Sequence, residues 1–284
     1  MIGGGPEKDG FVDISENRER VLARKQGPKY IFSFGDSYTS TCFDINGPQP
    51  SACNPMGNND LGNGLTSAQG PVWIQFLTTK YNTSPVQTYN FAVGGASIPD
   101  NYTYQVEHLY QPKYSTNRFW KGSDTLFTSW VGINDVSDAW IRKDSDELLA
   151  RLDKYSALLE QMWSTGARNF FIVNNPPLER SPFIAGFDKE SVALYKKDIQ
   201  IYNENLSKHV SAFQDRHPDG SIALYDVHAL FTKVIDDPKK YGFTDSTSMD
   251  SDGSLWSGNF HILTGFDDFI AKDMAKTITE FNFA

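Results

Sequence analysis

The strongest constraint on the fold of this chain is the regular exchange of strand-like and helix-like segments along it. Tyr30 to Phe34, Val86 to Val93, Thr125 to Val131, Phe170 to Val173 and Ile222 to Tyr225 are five short apolar runs that read as strands. Asn174-Asn175-Pro176-Pro177 ends the fourth, because proline cannot donate to a ladder. Between and after them the period changes. Pro71 to Tyr81 predicts a short helix, and Leu148, Leu152, Tyr155, Leu159 and Met162 share one face of a longer one. Asp144 and Glu147 resemble its capping box and Gly166 stops it. Val192, Tyr195, Ile199, Tyr202, Leu206, Val210 and Phe213 trace a second long helix, and Phe266, Ile270, Met274, Ile278 and Phe281 a closing one. Strand followed by helix, repeated, predicts an α/β domain: a parallel sheet with helices on both faces and a ligand site at the carboxyl ends of its strands.

At 284 residues, one domain spanning 30–284 is expected, preceded by a polar, mixed-charge extension over 1–29. With 39% hydrophobic and 14% aromatic residues the core material is ample, and no apolar run approaches the roughly 18 residues of a membrane span. A net charge of −9 leaves no basic patch to release counterions, which counts against nucleic acid and anionic lipid as partners. The first 29 residues carry no apolar signal-peptide core. Either the chain is cytosolic or its leader is not part of this sequence. Three glycosylation sequons, at Asn82, Asn101 and Asn205, lean toward secretion. Cys42 and Cys53 share one Pro/Gly/Asn-rich loop, where a disulfide and two free thiols are both open readings.

Chemistry enters where the first strand stops in Gly35-Asp36-Ser37. A strand that delivers a serine onto a tight turn, where the next residues can open a helix, exposes the hydroxyl beside free backbone N–H groups. That is how a nucleophile is presented. Three further elements fall in order behind it: Gly94-Gly95 after Asn90, Gly132-Ile133-Asn134-Asp135, and His261 near the C-terminus. Ser37, Gly95 and Asn134 each follow a predicted strand, so the parallel sheet would gather them at one edge.

The blocks FSFGDSYTS, NFAVGGASI and VGINDV, with a terminal histidine segment, resemble those of the SGNH (GDSL-type) hydrolases over roughly residues 30 to 284. FDINGPQPSACNPMG with GPVWIQFLTTKYN, Tyr202-Asn203 and DPKKYGF look like the fungal branch called carbohydrate esterase family 16, whose members deacetylate sugars and xylo-oligosaccharides. The resemblance implies a three-layer α/β/α sandwich with a central, mostly parallel five-stranded sheet, and a serine esterase acting on short-chain acyl esters. A lipase or lysophospholipase, an acyltransferase, and a weakly active carbohydrate-binding relative are the alternatives. Ester hydrolysis through an acyl-enzyme needs a nucleophile, a base and oxyanion donors. Ser37 is the expected nucleophile and His261 the base, with the backbone N–H groups of Ser37 and Gly95 and the Asn134 side chain as the oxyanion hole. Asp36 and Asp135 are assigned support roles that shape their turns. No metal-ligand spacing and no phosphate-binding loop is present, so no cofactor is implied.

The base departs from the family pattern. Most members carry an Asp three residues before the histidine, where this chain has Gly258, and His-Pro-Thr is replaced by His261-Ile262-Leu263. Three explanations compete: a backbone carbonyl near Gly258 accepts the Nδ1 proton in a Ser-His dyad, a displaced Asp250, Asp252 or Asp267 substitutes, or the protein is weakly active. Asp226 and His228 could pose as another acid-base pair, but Asp226 is expected to cap a helix. Trp256, close to His261, is the candidate for stacking on a sugar ring.

Overall fold

The structure, a computed structural model, describes residues 29–57, 66–116 and 118–279. The expected extension over 1–29 lies outside the described residues except for Lys29, which opens the first strand. Five strands form one sheet in the order β2-β1-β3-β4-β5, all parallel: β1 (Lys29–Gly35), β2 (Val86–Asn90), β3 (Thr125–Trp130), β4 (Asn169–Val173) and β5 (Ser221–Tyr225). From β1 the chain moves outward to β2, then crosses back to place β3 on the other side of β1. The connections leaving β1 and β3 therefore diverge, opening a crevice at the carboxyl edge. Ser37, Gly95 and Asn134 all lie just beyond that edge.

Helices flank the sheet. α1 (Trp73–Thr79) packs on the closing helix α7 (Thr264–Thr279), and α3 (Glu147–Ser164) packs on α5 (Lys189–Arg216). The Asp267 carboxylate accepts the Trp73 backbone N–H at 2.9 Å, satisfying one orphan donor at the start of α1. Asp188 caps α5 through the N–H groups of Glu190 and Ser191, and Asp226 caps α6 (Val227–Asp236) through Ala229, as expected. The expected capping box of α3 does not form. Asp146 is its N-cap with no side-chain bond, and Glu147 instead pairs with Arg142 and Arg151.

Three features escape the sequence pattern. α2 (Ile133–Arg142) buries Ile133, Val136 and Ala139. The Tyr-rich stretch after Gly95 coils into wide-turned helical segments, Ile98–Tyr102 and Gln105–Ser115, whose Tyr102, Tyr110 and Tyr114 are buried. Phe32 of β1 meets the rings of Tyr110, Trp120 and Phe127, so that stretch forms one wall of the core. Finally, β6 (Asp245–Met249), β7 (Ser254–Ser257) and β8 (His261–Ile262) make a second, three-stranded sheet. Its β7–β8 hairpin carries His261. Between β4 and α5 lies a one-turn helix, α4 (Pro182–Ala185).

Candidate active site

The site begins with the way β1 is stopped. The Gln105 side chain accepts the Gly35 N–H at 3.0 Å and donates to the Gly35 carbonyl at 2.8 Å, bracketing the last residue of the strand. A Cβ at residue 35 would lie 2.4 Å from the Trp130 carbonyl oxygen, so only glycine lets β1 run this close to β3. The chain then turns. The Asp36 carbonyl accepts N–H bonds from Thr39 and Ser40, and its carboxyl accepts from Tyr38 N–H at 3.0 Å. This single turn is closed by Asp36 itself, and irregular loop follows it. Ser37 rides on its crest, half-buried.

Asp36 is fully buried, and burial pushes its carboxyl up to about 7, against the bond from Tyr38 N–H. Among the described residues its Oδ2 has no partner. Its carbonyl and carboxyl bonds close the turn that carries Ser37.

The base comes from the second sheet. β7 and β8 pair with Ser257 opposite His261, and Gly258, at φ +57°, reverses the chain between them. His261 Nε2 lies 2.7 Å from Ser37 Oγ. Its Nδ1 lies 2.7 Å from Asn259 Oδ1, and the backbone N–H of His261 donates to that same oxygen at 3.1 Å. This arrangement settles the tautomer. A backbone N–H can only donate, so the oxygen of the Asn259 amide must face it, and the same oxygen then accepts Nδ1–H. Nε2 is left with its lone pair toward Ser37. Burial holds the His261 imidazole below its ordinary value of 6.5, favouring the neutral form a general base needs.

Asn259, which sequence reasoning missed, therefore occupies the place that a backbone carbonyl near Gly258 or a displaced acid was expected to fill. The only available signal was an amide two residues before the histidine, in a Gly-Asn turn between two strand-like pieces. Asp250 does not touch the imidazole. It accepts the Gly258 N–H at 3.0 Å and the Gln69 amide at 2.6 Å, holding the hairpin turn from outside. Asp267 is committed to Trp73. Two further ties join base and nucleophile. The Tyr38 hydroxyl donates to the Phe260 carbonyl, and Ser67 donates to the Ser37 carbonyl at 2.7 Å while its own carbonyl accepts from Ser257 at 3.2 Å.

The oxyanion side is equally built. Gly95 sits at φ +75°, where a side chain would be strained. Asn134, in the first turn of α2, donates one amide hydrogen to the Ala96 carbonyl at 3.0 Å. That bond fixes the amide plane, and the second hydrogen on Nδ2 remains for a substrate oxygen. Behind it, the buried Asp135 carboxylate accepts the Ile98 N–H at 3.1 and 3.2 Å and pairs with Arg151 at 3.0 Å. The Gly95 loop and α2 are thus locked to α3. Burial raises Asp135 to about 6, opposed by Ile98 N–H and Arg151.

Trp256 must be corrected. It is 0% exposed, its indole N–H donates to the Ser246 carbonyl at 2.9 Å, and it anchors β7 rather than offering a face to a sugar. Cys42 and Cys53 form no disulfide. Asp226 and His228 make no pair; both are engaged by Asn174, the first through its carboxylate and the second through its N–H. No helix among the described residues is long and apolar enough to cross a membrane.

Comparison with known proteins bears on the family and the fold. Residues 31–272 match the family of GDSL-like lipases and acylhydrolases. The chain is 33% identical over 267 residues to an acetylesterase of Thermothelomyces thermophilus, covering 87% of each protein. It is 21% identical over 262 residues to an acetylesterase of Hypocrea jecorina, covering 75% of this chain and 73% of the relative. Among solved structures, a catalytic mutant of an acetylxylan esterase from Geobacillus stearothermophilus superposes with a TM-score of 0.54 at 12% identity, over 92% of this chain and 97% of the other. At that identity the superposition speaks for the fold.

Proposed function

The chain belongs to the GDSL-like lipase and acylhydrolase family, and from that premise we propose that Ser37 attacks short-chain acyl esters, acetyl esters above all, to form an acyl-enzyme that water then releases. It is a carboxylic ester hydrolase by its relatives. The observation that carries the mechanism is the unbroken line Ser37 Oγ, His261 Nε2, His261 Nδ1, Asn259 Oδ1, two bonds of 2.7 Å. His261 takes the Ser37 proton as Oγ adds to the ester carbon. The negative oxygen faces the N–H groups of Ser37 and Gly95 and the free Asn134 hydrogen. His261 then gives the proton to the departing alcohol, and the cycle repeats with water.

The acetylesterase relatives support acetylated sugars or xylo-oligosaccharides as the natural substrates, and the three sequons support a secreted protein. The test is hydrolysis of 4-nitrophenyl esters from acetate to octanoate, then of acetylated xylo-oligosaccharides, by the native protein and by Ser37→Ala and His261→Ala. Fast acetate cleavage lost in both variants is expected; turnover that survives Ser37→Ala sinks the mechanism.

A further inference from the structure

A cleft of about 490 Å³ is lined at one end by Phe260, the residue before the base. One wall is α2: Ser137 and Ile141 line the cleft at i+3 and i+7 from Asn134, on a helix face that runs about 10 Å away from that oxyanion donor. The opposite wall is a relay of rings. Phe260 lies 5.3 Å from the His261 ring, Phe183 6.1 Å from Phe260 and Phe187 5.7 Å from Phe183, and Trp140 of α2 meets this relay 5.1 Å from Phe187. Phe183, Phe187 and Ile141 are 42%, 44% and 69% exposed, a concentration of large apolar groups that a surface does not keep without use.

The polar atoms of this cleft are already committed. Ser137 Oγ donates to the Ile133 carbonyl and accepts from Tyr195, Ser191 Oγ donates to Asp188, and the Trp140 indole N–H is taken by the Ser191 carbonyl. Apart from the Lys143 ammonium at its rim, no side-chain donor of the cleft is left over for a sugar's hydroxyls, and its lining contains no carboxylate or side-chain amide. Its position assigns it to one half of the ester. The leaving oxygen must lie beside Nε2 of His261 to receive the proton as the carbon–oxygen bond breaks, and whatever that oxygen carries then lies next to Phe260.

We propose that this groove is the alcohol-side subsite, and that it selects esters whose alcohol carries an apolar body, an aryl or medium-length alkyl group. The proposal rests on the esterase reading and widens its alcohol side beyond acetylated sugars. The experiment holds the acyl group at acetate and varies the alcohol through methyl, butyl, hexyl, octyl and benzyl. The expected result is a rise in kcat/KM of about three- to fourfold per added methylene until the groove is filled, carried mainly by KM. Phe183→Ser and Ile141→Ser should each lower the octyl-to-methyl ratio at least about tenfold, the measure of two or more methylenes left in water. A flat alcohol series overturns the proposal. So does a rise confined to the parallel series of ethyl acetate to ethyl octanoate, which would make the groove an acyl pocket. So does a loss with acetylated xylo-oligosaccharide in Phe183→Ser as large as with octyl acetate, which would make it a sugar platform. Binding of 2-phenylethanol to Ser37→Ala, followed by tryptophan fluorescence and abolished by Phe183→Ser, reads the groove without catalysis. It therefore separates a failure of the groove from a failure of the esterase mechanism.

Discussion

Replacing Asn259 by aspartate tests the reading of the base most directly. In the native site His261 has an amide oxygen 2.7 Å from Nδ1 and, among the described residues, no carboxylate bonded to its ring; burial displaces its titration downward from 6.5. The acid limb of kcat/KM should therefore lie below pH 6.5. Asn259→Asp keeps the acceptor and adds a charge. With the imidazolium charge spread over its ring, the effective separation is about 4 Å, worth about 1 kcal/mol in bulk water and about 4 kcal/mol near a protein surface. At about 1.4 kcal/mol per unit, those limits correspond to roughly 0.7 and 3 pH units. Asn259 is half-exposed and follows the exposed Gly258, so the lower half of that range applies, an upward shift of about 1 to 1.5 units. The assay is kcat/KM for 4-nitrophenyl acetate from about pH 4 to 9, with Asn259→Leu beside it. The leucine variant loses the acceptor and should lose turnover by about 10² to 10⁴ without an upward shift of the limb. An acid limb that stays in place or moves down in Asn259→Asp would refute the contact between this side chain and the base.

Three further outcomes follow from the same structure. Asn134→Ala should lower kcat by about 10² to 10³ with little change in KM, since its free hydrogen meets charge only in the transition state; an effect confined to KM would remove it from the oxyanion hole. Asp135→Ala should destabilise the protein by about 2 to 3 kcal/mol in urea titration, because the Ile98 N–H loses its buried acceptor and Arg151, 5% exposed, keeps only Asp138 and Glu147; a loss under about 1 kcal/mol would contradict the buried pair. Asp36, raised from 3.8 to about 7, binds its proton more tightly folded than unfolded, so its contribution is full below pH 3.8 and is lost as pH climbs to about 7, at most roughly 4 kcal/mol. Asp135 and Asp267 act in the same direction, while the lowered His261 acts oppositely as pH falls through 6.5. Asp36→Asn should therefore flatten the decline in Tm between about pH 4.5 and 7, and an unchanged decline would acquit Asp36.

Much of this was legible before any coordinates. Five apolar runs with helical periods between them specify a parallel sheet, and the residues just past three of those runs must meet at its carboxyl edge. What was hidden was hidden for physical reasons. α2 spans ten residues and mixes three buried apolar positions with Asn134, Ser137 and Asp138, too short a stripe to read. β6 carries Asp245, Ser246 and Ser248, types that favour turns, and it forms a strand by pairing with β7. Trp256 beside His261 in sequence invites a role at the surface of the site, but alternation along β7 is overridden there: all four of its residues are buried. Asn259 escaped because an offset in sequence was compared with an offset in space. With Gly258 at positive φ, the hairpin folds so that the residue after it, rather than the residue three before the histidine, reaches Nδ1.

An amide at that position separates two functions that a carboxylate performs together. A triad acid holds the imidazole in one tautomer and also stabilises the imidazolium that forms in the transition state. Asn259 retains the first, because the His261 backbone N–H locks its oxygen toward Nδ1; an asparagine free to rotate would present its NH₂ and trap the wrong tautomer. It forgoes the second. The same absence of charge that leaves the imidazolium unassisted also leaves the base neutral, and so usable, at lower pH. The two effects are linked in magnitude: the free energy by which an added carboxylate would raise the His261 pKa is the most it could return to the transition state, about tenfold per pH unit. Asn259→Asp should then gain no more on the alkaline plateau than it loses along the acid limb, and a plateau gain exceeding the measured pKa shift would mean that the carboxylate also reorients the imidazole.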